Sequence, residues 1–366
     1  MHRREFLKAG AALTFAAEWP TLARADVNFD PTPGIWRDFQ VATRLEIAKP
    51  AGFSQAWIPL PSVNQKNWIK SSDSQWTTNG KATPARDPHY GAEMLHVAWA
   101  ASEEAPVVEV TSRIATQDRA VDLTRPGKLA IDLATADRKF NTAGTELIPV
   151  DGNVKQMSDK ITAGRTTEID KVHAIYEWVV ENTFRDAKVR GCGIGDIASM
   201  LKTGNLGGKC ADLNALFVGL VRAAGIPARD VYGIRVAPSK FGFKALGAGS
   251  EVITKAQHCR AEVFLTGYGW VATDPADVRK VVLEEPPTNL AIDDPKVAAA
   301  RKTLFGAWEG NWLAYNFAHD IVLPGSTGPK LAFLMYPQGE TGSTRLDSLD
   351  ADDFKYTIKA KELTAA

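Results

Sequence analysis

Residues 210–224, CADLNALFVGLVRAA, are apolar almost all the way round. A helix with no polar face must be wrapped by other elements, which places this segment at the centre of a domain. Gly207-Gly208 precede it and permit close approach by a ligand, while Gly225-Ile226-Pro227 follow with a left-handed cap and a residue that blocks continuation. A chain of 366 residues suggests roughly two domains, enough to supply the wrapping without disulfide staples. Lys+Arg total 43 and Asp+Glu total 43, so no basic excess points to nucleic acid. No apolar run approaches the ~20 residues of a spanning helix, and no integral membrane span is expected.

The elements around the central helix follow from periodicity. Between about residues 35 and 122 the pattern has period two: Phe39, Val41, Thr43, Leu45 and Ile47 alternate with polar neighbours, as do Val108, Val110, Ser112 and Ile114. Met94 to Trp99 adds a third β-rich run, Pro59 and Pro61 end another, and Asn79-Gly80 supplies a turn signal. Thr167 followed by Asp170 starts a helix whose apolar face (Ile169, Val172, Tyr176, Val179, Val180) runs to about Asn182. Beyond the central helix, His258 to Leu265 and Gly269 to Thr273 read as a hairpin joined by Thr266-Gly267-Tyr268.

The N-terminus carries Arg3-Arg4, a short small-residue stretch and Ala23-Arg24-Ala25, which together make an export signal. The RRxFLK core resembles a twin-arginine signal, with cleavage expected after Ala25. Its removal takes Arg3, Arg4, Lys8 and Arg24 with Glu5 and Glu18, and leaves the chain nearly neutral. The expected location is the periplasm or another exported compartment. Twin-arginine cargo folds before export, so its thiols meet a reducing compartment first and an oxidising one later. The three cysteines, Cys192, Cys210 and Cys259, cannot all pair within one chain.

Chemistry centres on Cys210. A free thiol with a pKa of ~8.5 is barely ionised at neutral pH, but Cys210 falls in the first turn of the buried helix, where unpaired amides and the dipole favour an anion. The dipole contributes at most ~2 kcal/mol, whereas a drop of three pKa units needs ~4 kcal/mol, so a second partner is required. His258 opens the strand that can lie across the helix N-terminus; its imidazolium would pair with the thiolate and later protonate a leaving group. The tight turn at 267–269 brings Asp274 beside His258 to orient it. Strand alternation turns Cys259 away from the His258 face.

Three ordered blocks carry a resemblance: Gly207-Gly208-Lys209-Cys210-Ala211-Asp212-Leu213 with Leu220 to Arg229, His258-Cys259-Arg260-Ala261-Glu262-Val263, and Gly267-Tyr268-Gly269-Trp270 with Asp274-Pro275. In these the chain resembles the transglutaminase-like superfamily of papain-related thiol enzymes. The resemblance implies Cys210 as nucleophile, His258 as base and Asp274 as orienter, on an α+β core whose cysteine helix packs against an antiparallel sheet. A frequent pattern of that family has Trp two residues after the histidine, where this chain has Arg260. The implied organisation is a signal peptide (1–25), a β-sandwich-like domain (26–124), a linker (125–164), the catalytic core (165–285) and a C-terminal β-rich extension packed on the core (286–366). The Cys210 N–H is a natural oxyanion donor, with the Asn205 amide as candidate for a second; Gln257 is expected to point away from the His258 face.

Other readings are weaker. A zinc site from Cys192, Cys210, Cys259 and His258 lacks ligand spacing, and Cys192 and Cys259 read as structural, as a close pair or a mutual disulfide. Leu206-Gly207-Gly208-Lys209-Cys210 fails as a phosphate loop at two positions, and His319-Asp320 reads as structural or cleft-lining. No cofactor is called for. The expected activity is attack by the Cys210 thiolate on an amide or peptide bond of a protein or peptide, peptidoglycan peptides included, through a thioester. Hydrolysis is favoured over amine transfer because water is abundant unless a site excludes it. The alternatives are a protein-crosslinking transglutaminase and a non-catalytic envelope scaffold.

Overall fold

The computed structural model describes residues 28–125 and 131–363; the export signal expected at residues 1–25 lies outside them. Its centre is the helix Cys210–Ala223, in which every residue is buried. Leu216, Phe217, Leu220 and Val221 share one core with Val172, Ile175, Tyr176 and Val179 of the helix Glu168–Asn182 and with Ala261, Val263 and Val271 of the sheet. That sheet is antiparallel and six-stranded, in the order Trp312–Asn316, Ala228–Arg235, Gln257–Leu265, Gly269–Thr273, Phe305–Trp308, Arg119–Ala120. The mixed helix-and-strand architecture is the α+β core anticipated above. Helix Glu168–Asn182 begins where Thr167 caps it, with the Asp170 N–H donating to Thr167 Oγ1 at 3.2 Å.

The N-terminal region forms two five-stranded sheets with a shared apolar core that includes Phe39, Leu45, Ile58, Leu95, Val97 and Val110. Alternation along Arg37–Glu46 and Val107–Thr116 puts every second side chain inside, as period two requires. Asn79-Gly80 does turn the chain, but between the sheets rather than within a hairpin: Gln75–Thr78 pairs with Val107–Thr116, and Lys81–Arg86 with Glu93–Trp99. A side chain at Gly80 would lie 2.6 Å from Trp99 Nε1, which accounts for glycine there.

Two boundaries differ from the sequence reading. Residues 125–164 are more than a linker: helices Thr135–Thr142 and Gly152–Thr162 lie there, and Val154 of the second is fully buried against the central core. The extension 286–366 is divided between the two units. Phe305–Trp308 and Trp312–Asn316 join the core sheet, while Gln338–Thr341 pairs with Ser54–Pro59 and Tyr356–Leu363 pairs with Arg37–Glu46. The last strands thus complete the sandwich that the first strands begin. Long-range pairing of this kind leaves no local signal, because each strand needs only its own period-two pattern.

Candidate active site

Cys210 is the first residue of the central helix, held there by its flanks. Asp212, at the third position, accepts from the backbone N–H of Lys209 at 2.9 Å and also from Ile194 and Gly195 at 3.0 and 2.9 Å. One carboxylate thereby satisfies the amide before the helix and fastens the loop 193–195 against it. The cost is space: a Cβ on Gly193 would lie 1.8 Å from Asp212 Oδ2, and one on Gly208 2.5 Å from Asp212 Cβ. Gly193 also has φ of +88°, so glycine is required there twice over.

His258 stands near the start of the strand Gln257–Leu265, and the hairpin register (Ala261 opposite Thr273) carries Asp274 alongside it. His258 Nε2 lies 2.7 Å from Asp274 Oδ2, and the pair is buried. Asp274 is also the N-cap of the helix Pro275–Glu284, where Oδ1 accepts from the Asp277 N–H at 3.1 Å. Asn214, one turn after Cys210 on the same helix, donates from Nδ2 to Asp274 Oδ1 at 3.1 Å and to the Cys259 carbonyl at 2.9 Å. The carboxylate is thus braced from the cysteine helix itself.

A second carboxylate completes the arrangement. Asp277 Oδ2 lies 3.3 Å from His258 Nε2, and Arg235 Nη2 donates to both Asp277 oxygens at 2.6 and 2.9 Å. Arg260 places Nε 3.8 Å from Asp274 Oδ2 and stacks on Trp308 and Trp312, with Nη1 donating to the Glu309 carbonyl at 3.0 Å. Where the resemblance puts an aromatic residue, this chain has a cation beside the Asp274 carboxylate and takes its aromatic surface from the C-terminal region.

The electrostatics follow from these neighbours. Burial and the Arg235 charge push the His258 imidazole down, but Asp277 and Asp274 outweigh them and carry it up to about 10. Burial pushes the Cys210 thiol up, yet hydrogen bonds from Cys192, Cys259 and His258, with the His258 charge, hold it well below the ordinary thiol range. Asp277 is held well below the carboxylate range against the burial that raises it, by Arg235 and His258. Burial and the neighbouring Asp277 push Asp274 up, while the His258 charge and hydrogen bond oppose that rise. Nε2 of His258 faces the carboxylates, which leaves Nδ1 for the thiolate.

Of the residues singled out from sequence, Cys210, His258 and Asp274 meet at one place. Asn205 does not join them: it is exposed, away from the cleft, and its Oδ1 accepts from the Gly207 N–H at 3.2 Å, stabilising its own loop. Gln257 lines the cleft instead, and its Nε2 is buried with no protein partner among the described residues. At the first residue of a strand the sheet face gives way to the cleft, so alternation does not remove it.

Cys259 keeps the face that alternation gives it, with Ala261 and Val263 towards the helical core and opposite Arg260, which lies on Trp308 and Trp312. Its sulfur lies within 4.8 Å of those of Cys192 and Cys210, so it forms the close pair with Cys192 without a disulfide. All three are free thiols, and the three sulfurs form the one cysteine cluster of ligand geometry among the described residues. His319 and Asp320 are structural: His319 is buried 3.5 Å from Asp230, and Asp320 accepts from the Glu146 N–H at 3.0 Å. Asn214, Asp277 and Arg235 escaped the sequence reading; the only local signals were i+4 spacing from Cys210 and i+3 spacing from Asp274.

A cleft of about 540 Å³ opens over Cys210 and His258. One wall is the loop from Gly247 to Ala256, and another comes from Tyr336, Leu349 and Tyr356 of the C-terminal region. Arg185, Lys209, Lys255 and Lys280 line it against the single carboxylate of Glu284, so its lining is predominantly cationic.

Comparison with known proteins agrees with this architecture. Residues 155–275 match the sequence profile of the transglutaminase-like superfamily, spanning the cysteine helix and the hairpin. A Haemophilus influenzae protein described only as uncharacterized is 36% identical over 330 residues, covering 85% of this chain and 87% of that protein. Among solved structures, a chain from Cytophaga hutchinsonii described as a "putative cysteine protease" superposes with a TM-score of 0.58 at 12% identity, over 92% of this chain and 93% of its own. At that identity the likeness concerns the fold, and it extends through both the sandwich and the core.

Proposed function

This chain belongs to the transglutaminase-like superfamily, and from that premise we propose that it is a thiol hydrolase of the cell envelope, acting on amide or peptide bonds. The observation that carries the reading is one imidazole held on two buried carboxylates in the cleft it shares with a cysteine at a helix N-terminus. Cys210 attacks the amide carbonyl; the oxyanion takes hydrogen bonds from the Cys210 N–H and from Gln257 Nε2. The His258 imidazolium protonates the departing amine, leaving a thioester. Neutral His258 then takes a proton from water as it attacks the thioester, and collapse releases the acid and restores the ion pair.

Hydrolysis is preferred because an amine competes with water only in a site that excludes it, and a cleft lined by Arg185, Lys209, Lys255 and Lys280 stays hydrated. The same cations favour an acyl donor that carries negative charge, such as an acidic peptide. Export follows from the Arg3-Arg4 signal. The test is to incubate mature protein with envelope proteins and peptidoglycan fragments and to read new termini or isopeptide bonds by mass spectrometry. Cys210→Ala is expected to abolish product, and a thiol-directed probe to label residue 210 in folded protein. Retained activity in that variant would refute the reading, and isopeptide products would replace hydrolysis by transfer.

A further inference from the structure

A thiol nucleophile needs one sulfur, yet three meet here, and they differ in how the fold carries them. Cys210 is fixed by the central helix and Cys259 by a central strand of the sheet. Cys192 sits in a loop outside regular structure, between Gly191 and Gly193, both left-handed at φ of +55° and +88°. Its carbonyl accepts from the Ala211 N–H at 2.9 Å, which seats the loop on the first turn of the cysteine helix. Its own sulfur donates to the Gln257 carbonyl at 3.4 Å. Cys192 and Cys210 line the cleft, whereas Cys259 is fully buried beneath it.

A disulfide requires sulfurs about 2.05 Å apart, so closure from a contact within 4.8 Å demands that one partner move. Cys192 lies outside helix and sheet, so the movement falls to its side chain, whereas the helix and strand that carry Cys210 and Cys259 are packed against each other. We propose that Cys192 is the resolving thiol of a reversible redox switch, closing a disulfide onto Cys210 after a peroxide has oxidised the nucleophile. The inference rests on Cys210 being a reactive thiolate, as in the function proposed above.

The chemistry balances in two steps. The Cys210 thiolate attacks hydrogen peroxide: an S–O bond forms, the O–O bond breaks, and hydroxide leaves to take up a proton as water. The Cys192 sulfur then attacks the sulfenyl sulfur of Cys210: the S–S bond forms, the S–O bond breaks, and the departing hydroxide leaves as water with the Cys192 proton. Two thiols lose two electrons and peroxide gains them. A dithiol reductant reverses the change by exchange, becoming a disulfide itself. Of the two sulfurs that line the cleft, only that of Cys210 stands at a helix N-terminus beside the His258 imidazole, so the negative charge settles there and oxidation begins there.

The experiment uses mature protein treated with hydrogen peroxide and then with dithiothreitol. Three readouts are taken: iodoacetamide labelling of residue 210, activity, and non-reducing peptide mass spectrometry. Wild type and Cys259→Ser are expected to lose labelling, show a 192–210 crosslink and recover with reductant. Cys192→Ser and Cys192→Ala should lose labelling equally, gain two oxygens on Cys210 and recover roughly threefold less or worse. Circular dichroism melting establishes that each variant is folded. Full recovery in the Cys192 variants, or a crosslink to Cys259 in place of Cys210, overturns the switch and leaves the hydrolase reading standing. Failure of reduced wild type to label at residue 210 overturns both.

Discussion

Among the described residues two buried histidine–aspartate pairs occur, and their histidines are shifted in opposite directions. His258 lies 2.7 Å from Asp274 and 3.3 Å from Asp277, with Arg235 and Arg260 behind the carboxylates, and it is raised to about 10. His319 lies 3.5 Å from Asp230, with Tyr232 Oη 3.3 Å from its Nδ1. Burial and the charge of Arg222 push His319 well below its ordinary value, and burial carries Asp230 up to about 7. Neither Asp230 oxygen, nor His319 Nε2, has a hydrogen-bond partner among the described residues. Both imidazoles are out of water, so burial is not the difference. The first pair keeps its charges because two carboxylates, a helix N-terminus and a thiolate reward them; the second sheds them because little does.

The sharpest test removes each histidine in turn. His258→Ala should slow iodoacetamide labelling of residue 210 at pH 6.5 by about 100-fold or more, since it takes away the imidazolium that favours the thiolate. His319→Ala should leave that rate within about threefold. Equal losses in folded variants would show that the two pairs do not differ in function. The orphan amide of Gln257 offers the next contrast: unlike the orphaned atoms of Asp230, it belongs to the cleft over Cys210, where the proposed mechanism gives it the oxyanion. Gln257→Ala should lower kcat by about 10- to 100-fold with little change in KM, as loss of a transition-state donor does. A KM effect alone would make it a substrate-positioning group.

These contrasts explain what was legible in the chain. The cysteine helix, its glycine flanks and the hairpin through Gly267 are local patterns, and each fell within a residue or two of its expected place. Asp277 and Arg235 were not legible because their role comes from the meeting of a helix start with the far end of a neighbouring strand. Asn205 misled because it is close to Cys210 in sequence, whereas its loop turns its amide to the surface. Cys259 kept its expected face, but alternation says nothing of what covers that face, and the helix end lying there brings its sulfur to that of Cys210. The strand Tyr356–Leu363 was readable as a strand, but its partner Arg37–Glu46 lies at the opposite end of the chain.

A smaller effect tests how the charge on His258 is shared. Asp277→Asn keeps hydrogen-bonding capacity beside Nε2 and Arg235 but removes one negative charge, so the imidazolium should lose its proton at lower pH. Because the folded value lies above the ordinary one, the stability it contributes is full below about pH 6.5 and is lost as pH rises through about 10. In the variant the alkaline limb of kcat/KM should move to lower pH by about one unit. No movement would assign the raised value to Asp274 alone.

The smallest effect lies in the second pair and is read from stability. Asp230 is raised from 3.8 to about 7, so the folded state holds a proton that the unfolded chain releases earlier. Its contribution is therefore complete below about pH 3.8 and is lost as pH climbs through about 7. Asp230→Asn abolishes that titration. Whatever the fixed cost of the substitution beside Arg222, the stability of the variant relative to wild type should rise by about 1–3 kcal/mol between pH 4.5 and pH 8. Denaturant melts at the two pH values measure the difference. A constant offset would mean that Asp230 is ionised throughout, paired with Arg222, and that this pair keeps its charges as the first one does.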